Sequence, residues 1–239
     1  EGRGAALEAV GAAARRSGRA LRELGITMNL APVAEVLSEE NRPFLADRSY
    51  GPDPGFVEQA AAAFIEGMEV EGVYCTLKHF PGNSGADPHR GTVLLARNRD
   101  ELRAGIGPFA ALIRRAAPPA VMVSHVVVPA WDGERNASFS PAVIRDWIRG
   151  ELGFRGILAA DDFSMAAAGM NPQEAVVEAL RAGIDMVMAW PPDLRPTYGA
   201  ILAALNEGRL SRERLREAAA HILAEKIRYG VYTPDRDED

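Results

Sequence analysis

The chain has 239 residues, is 47% hydrophobic, and carries a formal charge of −6 with a sequence pI near 5.4. That content is ample for a core, which excludes a disordered chain, and no Lys/Arg cluster outweighs its acidic neighbours, which excludes a nucleic-acid or anionic-membrane footprint. No apolar run reaches the roughly 18 residues a membrane-spanning helix needs, so the expected partner is a small, fairly neutral molecule.

From about Ala5 to Leu24 apolar residues recur at helical spacing, and Gly25 follows as a stop signal. Ile26 to Val33 reads as a strand, Pro54 to Glu71 as a helix, Val73 to Leu77 as a strand and Asp100 to Ala117 as a helix. Ala120 to Ser124 is the next strand. A Gly/Asn/Ser loop leads to a helix from Ser140 to Leu152, with Ser140 as N-cap and Pro141 in its first turn. The strand Gly156 to Ala160, a helix near Pro172 to Ala182 and the strand Ile184 to Ala189 follow; two helices and an Asp-Arg-Asp-Glu-Asp tail close the chain. The single cysteine, Cys75, lies inside a strand, has no internal disulfide partner and reads as a small core residue.

Five strands, each followed by a helix, predict an α/β fold in which helices cover a parallel sheet. An open doubly wound sheet and a (β/α)8 TIM-type barrel both satisfy this order. Polar residues at four strand ends, Asn29 to Glu35, Lys78-His79, Ser124-His125 and Asp161-Asp162, favour the barrel, whose active sites are assembled at the C-terminal rim. Closure needs eight strands, so this reading places three upstream of Glu1 and takes residues 1–239 as one catalytic barrel domain, incomplete at its N-terminus, with no repeat or linker.

The chemistry concentrates in two places. Tyr74 to Gly82 delivers Lys78 and His79 to the end of an apolar strand, and a glycine-rich loop then presents Asp87-Pro88-His89. Pro88 holds Asp87 extended, and a carboxylate two positions from a histidine can take one ring N–H and leave the other nitrogen to exchange protons. The competing reading of Asp87 is a surface turn cap. The second place is Asp161-Asp162 after the strand Gly156 to Ala160, where either carboxylate suits a nucleophile and either suits a cap for the segment from Phe163 onward.

Lys78 reads equally as a Schiff-base lysine, a donor to sugar hydroxyls or an exposed charge, and His79 beside it suits a two-donor sugar clamp. His125 stands behind the site or is a satisfied core histidine. His221, among alanines, reads as structural. Arg48 either reaches the rim or pairs with Asp47. There is no metal-ligand spacing, phosphate-binding loop or dinucleotide glycine fingerprint, so neither cofactor nor metal is expected.

Asn29-Leu30-Ala31-Pro32-Val33, Arg48-Ser49-Tyr50-Gly51, Lys78-His79-Phe80-Pro81-Gly82, Asp87-Pro88-His89, Met122-Val123-Ser124-His125 and Asp161-Asp162-Phe163-Ser164-Met165 occur in an order and spacing that resembles glycoside hydrolase family 3, in particular its β-N-acetylglucosaminidase branch. The resemblance implies a (β/α)8 barrel and a retaining β-hexosaminidase that removes terminal N-acetylglucosamine, typically from peptidoglycan fragments. It implies Asp161 as nucleophile, His89 oriented by Asp87 as general acid/base, and Arg48, Lys78 and His79 on sugar hydroxyls, with His125 and Met165 supporting them from behind. A β-glucosidase or phosphorylase of the same family and a non-catalytic sugar-binding protein are the alternatives.

The chain departs from the family pattern at Asn83-Ser84-Gly85-Ala86, where His-Gly-Asp and a slightly longer loop are usual, and at Glu35, where an Asp is common. One buried cysteine and no visible export signal point to the cytoplasm, and a monomer is expected.

Overall fold

In the computed structural model, which describes residues 2–133 and 135–233, helix α1 (Gly2–Glu23) ends where Gly25 turns the chain at φ +77°, a conformation that glycine adopts without a Cβ penalty. Strand β1 (Met28–Asn29) then pairs in parallel with β2 (Tyr74–Phe80). The rest of the predicted first strand stays beside β2: Ala31 O accepts from Thr76 N, Pro32 O accepts from Lys78 N, and Ala34 N donates to Lys78 O. Pro32 has no N–H to give, which keeps the regular ladder short. A short helix α2 (Arg42–Leu45) and a 3-10 turn (Ala46–Arg48) lead to α3 (Pro54–Glu69), whose N-cap Asp53 accepts from the N–H groups of Gly55 and Phe56. Helices α1 and α3 touch closely at Gly67, where a Cβ would lie 2.6 Å from Gly11 O and 2.8 Å from Ala14 Cβ.

Strand β3 (Val93–Leu94) precedes α4 (Arg99–Gly105) and α5 (Gly107–Ala116). The single helix expected over Asp100 to Ala117 is therefore broken at Ile106. Pro108 is the cause, because it lacks an N–H and its ring would meet the carbonyl of Ala104 in a continuous helix. Strands β4 (Ala120–Val123) and β5 (Val126–Val127) and helix α6 (Pro129–Asp132) come next, and β5 pairs with β3. The helix expected from Ser140 is a π-helix (Ala142–Glu151): Ser140 Oγ accepts from Val143 N at 3.0 Å as predicted, and Leu152 N reaches back to Trp147 O. Strand β6 (Ile157–Ala160), α7 (Pro172–Ala182), α8 (Leu194–Asn206) and α9 (Arg212–Arg228) complete the order. The charged tail named above lies outside the described residues.

The main sheet runs β1-β2-β4-β6, all parallel. The strand expected over Ile184 to Ala189 lies beside β6 but makes one bridge, Met186 to Ala159. It has β6 on one side and no strand on the other among the described residues, so it carries half the ladder of an interior strand, and the sheet is open there. Every residue of β4 and β6 is buried, the mark of parallel strands covered on both faces. Phe80 meets Phe109 and Trp147 edge-on, with ring centroids 5.7 and 4.9 Å apart. Cys75 is fully buried, which pushes its thiol up to about 12. No described helix is long and apolar enough to cross a membrane.

The end of the sheet where the strands begin is held by charge. Asp185, with a fully buried carboxylate, accepts from Arg149 Nη2 at 2.5 Å, Arg214 Nη2 at 2.6 Å and Leu158 N at 2.9 Å, and its Oδ1 lies 3.0 Å from His221 Nδ1. His221 is thus structural, as its sequence context suggests. Removing one partner of such a cluster strands the remaining buried charges. Asp185→Ala is expected to lower unfolding free energy by about 3–5 kcal/mol in urea titration, whereas Arg209→Ala, which breaks exposed pairs with Glu207 and Glu174, is expected to cost under about 1 kcal/mol.

Candidate active site

Because the strands are parallel, Phe80, Val123 and Ala160 all finish at one rim, and the loops that follow converge there. The segment after β1 contributes Glu35, which is 3% exposed and gathers donors from the end of β2. Its Oε1 takes His79 N at 3.2 Å and stands 2.6 Å from His79 Nδ1; its Oε2 takes Asn83 N at 2.8 Å, and Asn83 Nδ2 reaches both oxygens. One buried carboxylate thereby fixes a side chain and the main chain at both ends of the turn His79 to Asn83. The Lys78–His79 and Phe80–Pro81 peptide bonds in this turn are cis.

These partners assign the tautomer of His79. A carboxylate only accepts, so Nδ1 carries the proton, and Nε2 is left to accept from Arg48 Nη2 at 3.4 Å. Arg48 also lies over the Phe44 ring, 5.4 Å from its centroid. Of the two sequence readings of Arg48, the structure takes the rim and not the pair with Asp47. Lys78, the only residue of β2 that is not fully buried, has its ammonium pushed below the ordinary lysine value by burial and by Arg48, with Asp161 and Glu35 pulling it partly back.

At the end of β6, Asp161 Oδ1 accepts from Asp162 N at 2.9 Å, and no ion pair engages this carboxylate among the described residues. Asp162 turns the other way. Its Oδ1 takes Ser164 N at 2.8 Å and its Oδ2 takes Trp190 Nε1 at 2.8 Å. Partial burial raises its pKa, but these hydrogen bonds outweigh that and hold the carboxyl below its usual range. The second aspartate thus caps a turn, while the first stays available.

His125 is both things the sequence allows. It is a satisfied core histidine, 1% exposed and flanked by Phe139 and Phe163, and it supports the site, because Nε2 lies 3.1 Å from Asp162 O and Nδ1 2.9 Å from Ser138 Oγ. Burial lowers its pKa, keeping the ring neutral. Met165 is buried beneath the same turn, with its N–H on Asp162 O.

The loop after β2 brings the remaining pair. His89 N and His89 Nδ1 approach Asp87 Oδ1 at 3.0 and 2.9 Å, and both hydrogen bonds hold the Asp87 carboxyl below its usual range. The ring is largely exposed, with Nε2 free of that pairing. The loop is not loose: Pro88 O accepts from Ala167 N at 2.9 Å, which fastens it to the segment that follows Asp161. Shortened or not, the loop reaches the β6 end of the rim.

Every candidate site residue singled out from the sequence therefore lies at this rim, while Cys75 and His221 lie away from it. Glu35 was visible as the last of the polar residues after the first strand and as a departure from a motif, Asn83 only as a departure, and Trp190 had no signal beyond an aromatic residue before Pro191-Pro192. No group of three or more His, Cys, Asp or Glu among the described residues is arranged to hold a metal ion.

The profile of the glycosyl hydrolase family 3 N terminal domain matches residues 2–224. A β-hexosaminidase of Stenotrophomonas maltophilia is 38% identical over 218 residues, covering 84% of this chain and 64% of that protein. β-Hexosaminidase A of Pseudoalteromonas piscicida is 32% identical over 230 residues, covering 86% of this chain and 38% of that protein. A solved glycoside hydrolase family 3 β-N-acetylglucosaminidase from Paenibacillus sp. FPU-7 superposes with a TM-score of 0.89 at 32% identity, over 98% of this chain and 46% of that one. The open parallel sheet is accordingly TIM-barrel-like, and the chain spans 38% to 64% of the length of these two curated relatives. With a profile running through nearly all of its described residues and relatives at these identities, the chain belongs to glycosyl hydrolase family 3.

Proposed function

We propose that the protein is a retaining glycosidase that removes terminal β-linked N-acetylglucosamine, with Asp161 as nucleophile and His89 as acid/base. One observation carries this reading: the Ala167 N–H to Pro88 O hydrogen bond joins the Asp87–His89 loop to the segment leaving β6, so a carboxylate and an imidazole share one rim. The names of the relatives supply the sugar. Muropeptides from peptidoglycan are the natural substrates put first, on the resemblance to the N-acetylglucosaminidase branch.

In the first step a carboxylate oxygen of Asp161 forms a bond to C1 of the sugar as the bond from C1 to the leaving oxygen breaks, and His89 gives that oxygen its proton. Asp87, held anionic, orients Nδ1 of the ring and supports the charge that the ring carries as an acid. In the second step His89 takes a proton from water, the water oxygen bonds to C1, and the ester to Asp161 breaks, restoring both groups. Water is the only co-reactant. Arg48, Lys78 and His79, held by Glu35, bind sugar hydroxyls on the β2 side of Asp161.

On the full-length protein with a nitrophenyl β-N-acetylglucosaminide, Asp161→Ala is expected to lower kcat by at least about 10³-fold, and a 2-fluoro sugar to label Asp161 in the wild type. His89→Ala is expected to lose about 10²- to 10⁴-fold on a poor leaving group, and less on the nitrophenyl substrate, whose oxygen departs without a proton. Wild-type rates in both variants overturn the assignment.

Burial and Arg48 depress the pKa of Lys78, so its charged form is present at low pH and is lost as pH rises through a value below the ordinary ~10.4. In the proposed mechanism the alkaline limb of kcat/KM also reports loss of the His89 acid, so binding is the measure of the lysine: Lys78→Met is expected to raise KM about tenfold with kcat changed less, and an unchanged KM excludes it as a hydroxyl-binding residue. Glu35→Gln, which weakens the hold on His79, is expected to reduce kcat/KM about 10- to 100-fold with the fold intact by circular dichroism.

A further inference from the structure

We propose that Trp190 is a stacking platform for the leaving-group sugar, on the side of Asp161 opposite the hydroxyl-binding residues. This rests on the reading of Asp161 as nucleophile. Trp190 is 55% exposed, unusual for the largest apolar side chain in a protein with a well-formed core. Its exposure is not that of a loose surface residue. The indole Nε1–H donates to Asp162 Oδ2 at 2.8 Å, and Asp162 N donates to Asp161 Oδ1 at 2.9 Å, so two short hydrogen bonds connect the ring edge to the carboxylate at the reacting centre.

The topology decides the side. Arg48, Lys78 and His79 gather at the end of β2, whereas Trp190 follows the segment that bridges β6 at Met186, two strand positions beyond β4. The order across the rim is therefore hydroxyl-binding residues, then Asp161, then the indole. The Asp87–His89 loop is pinned to Ala167 in the segment after Asp161, which places the proton donor near the same flank. A sugar whose hydroxyls face β2 directs its C1 substituent away from them.

The chemistry of the ring suits that substituent. With its one polar atom paired to Asp162, the indole offers a flat apolar face, and a hexopyranose chair presents C–H bonds on each face that pack against such a surface. Pro191 disfavours a helical backbone at Trp190 and the hydrogen bond to Asp162 holds the ring, so little side-chain freedom is lost on binding. Leu194 and Tyr198 continue an exposed apolar line onto α8, but neither shares the bond to Asp162. A polypeptide lying along α8 is the outcome that the experiment has to exclude.

Of the three tryptophans, Trp147 is fully buried, and half-buried Trp131 stacks on it at 3.9 Å and has Arg99 and Arg103 over its ring, so Trp190 is the exposed indole. In full-length Asp161→Asn protein, N,N′-diacetylchitobiose is expected to change tryptophan emission more than methyl β-N-acetylglucosaminide does, and Trp190→Phe to abolish that difference. In the active protein, Trp190→Ala is expected to lose about tenfold in kcat/KM on the disaccharide, mainly through KM, and clearly less on the methyl glycoside, which has no second ring. Trp190→Phe, with an aromatic face but no N–H, is expected to recover most of the loss.

Equal losses on both substrates, or a Trp190→Phe variant as poor as Trp190→Ala, overturn the platform and leave Trp190 as a support for Asp162. An emission that ignores saccharide overturns it in favour of a covered face. If the wild type hydrolyses neither substrate, the proposed function fails instead, and the titration alone decides whether Trp190 meets a sugar.

Discussion

The rim depends on one buried carboxylate. Glu35 sits almost out of water, where an unpaired charge is costly, and it is tolerated because backbone N–H groups of His79 and Asn83, the His79 ring and the Asn83 amide all point at it. The constraint works in both directions. The donors stabilise the charge, and the charge forces residues on either side of Phe80-Pro81-Gly82 into one arrangement, so that His79 faces Arg48. A glycine- and proline-rich turn has little else to make its geometry unique. The longer acid at this position reaches a turn that in this chain carries Asn83.

Support of the opposite flank is of another kind. Asp162, His125, Ser138 and Trp190 form a chain of hydrogen bonds beside Asp161, and Phe139 and Phe163 enclose the histidine. Among the described residues Asp161 itself is left with one backbone donor and unengaged oxygen lone pairs. Neighbouring aspartates with the same intrinsic acidity are thus divided by their partners: one is consumed in holding a turn, the other stays available. The Asp185 cluster plays no part in this. It lies where the strands begin, with Arg149, Arg214 and His221, so ionic cohesion of the sheet and chemistry at the rim occupy different ends.

Much of the site was legible because strand ends and short motifs are local. Lys78-His79 after an apolar run, Asp87 two positions from His89, and Asp161-Asp162 after Gly156 to Ala160 are each readable within a dozen residues, and the parallel strand order then brings them to one edge. The helix boundaries at Gly25, Pro54 and Ser140 followed from single-residue chemistry. Local rules went astray where neighbours intervene. Pro108 split a helix that periodicity alone runs through, and the segment Ile184 to Ala189 gained only one bridge because a strand's regularity depends on its partners.

The amino-acid order by itself determined the alternation of strands and helices, the buried character of β4 and β6, and the residue types available at each strand end, since these follow from periodicity and from side-chain and backbone preferences acting over a few positions. The folded structure alone decided which of two adjacent aspartates is free, which nitrogen of His79 carries the proton, that the Asp87–His89 loop is tied to Ala167, and that Trp190 leans on Asp162. Those outcomes are set by hydrogen bonds between residues dozens of positions apart, and a donor's choice among acceptors is fixed only when the chain has closed around them.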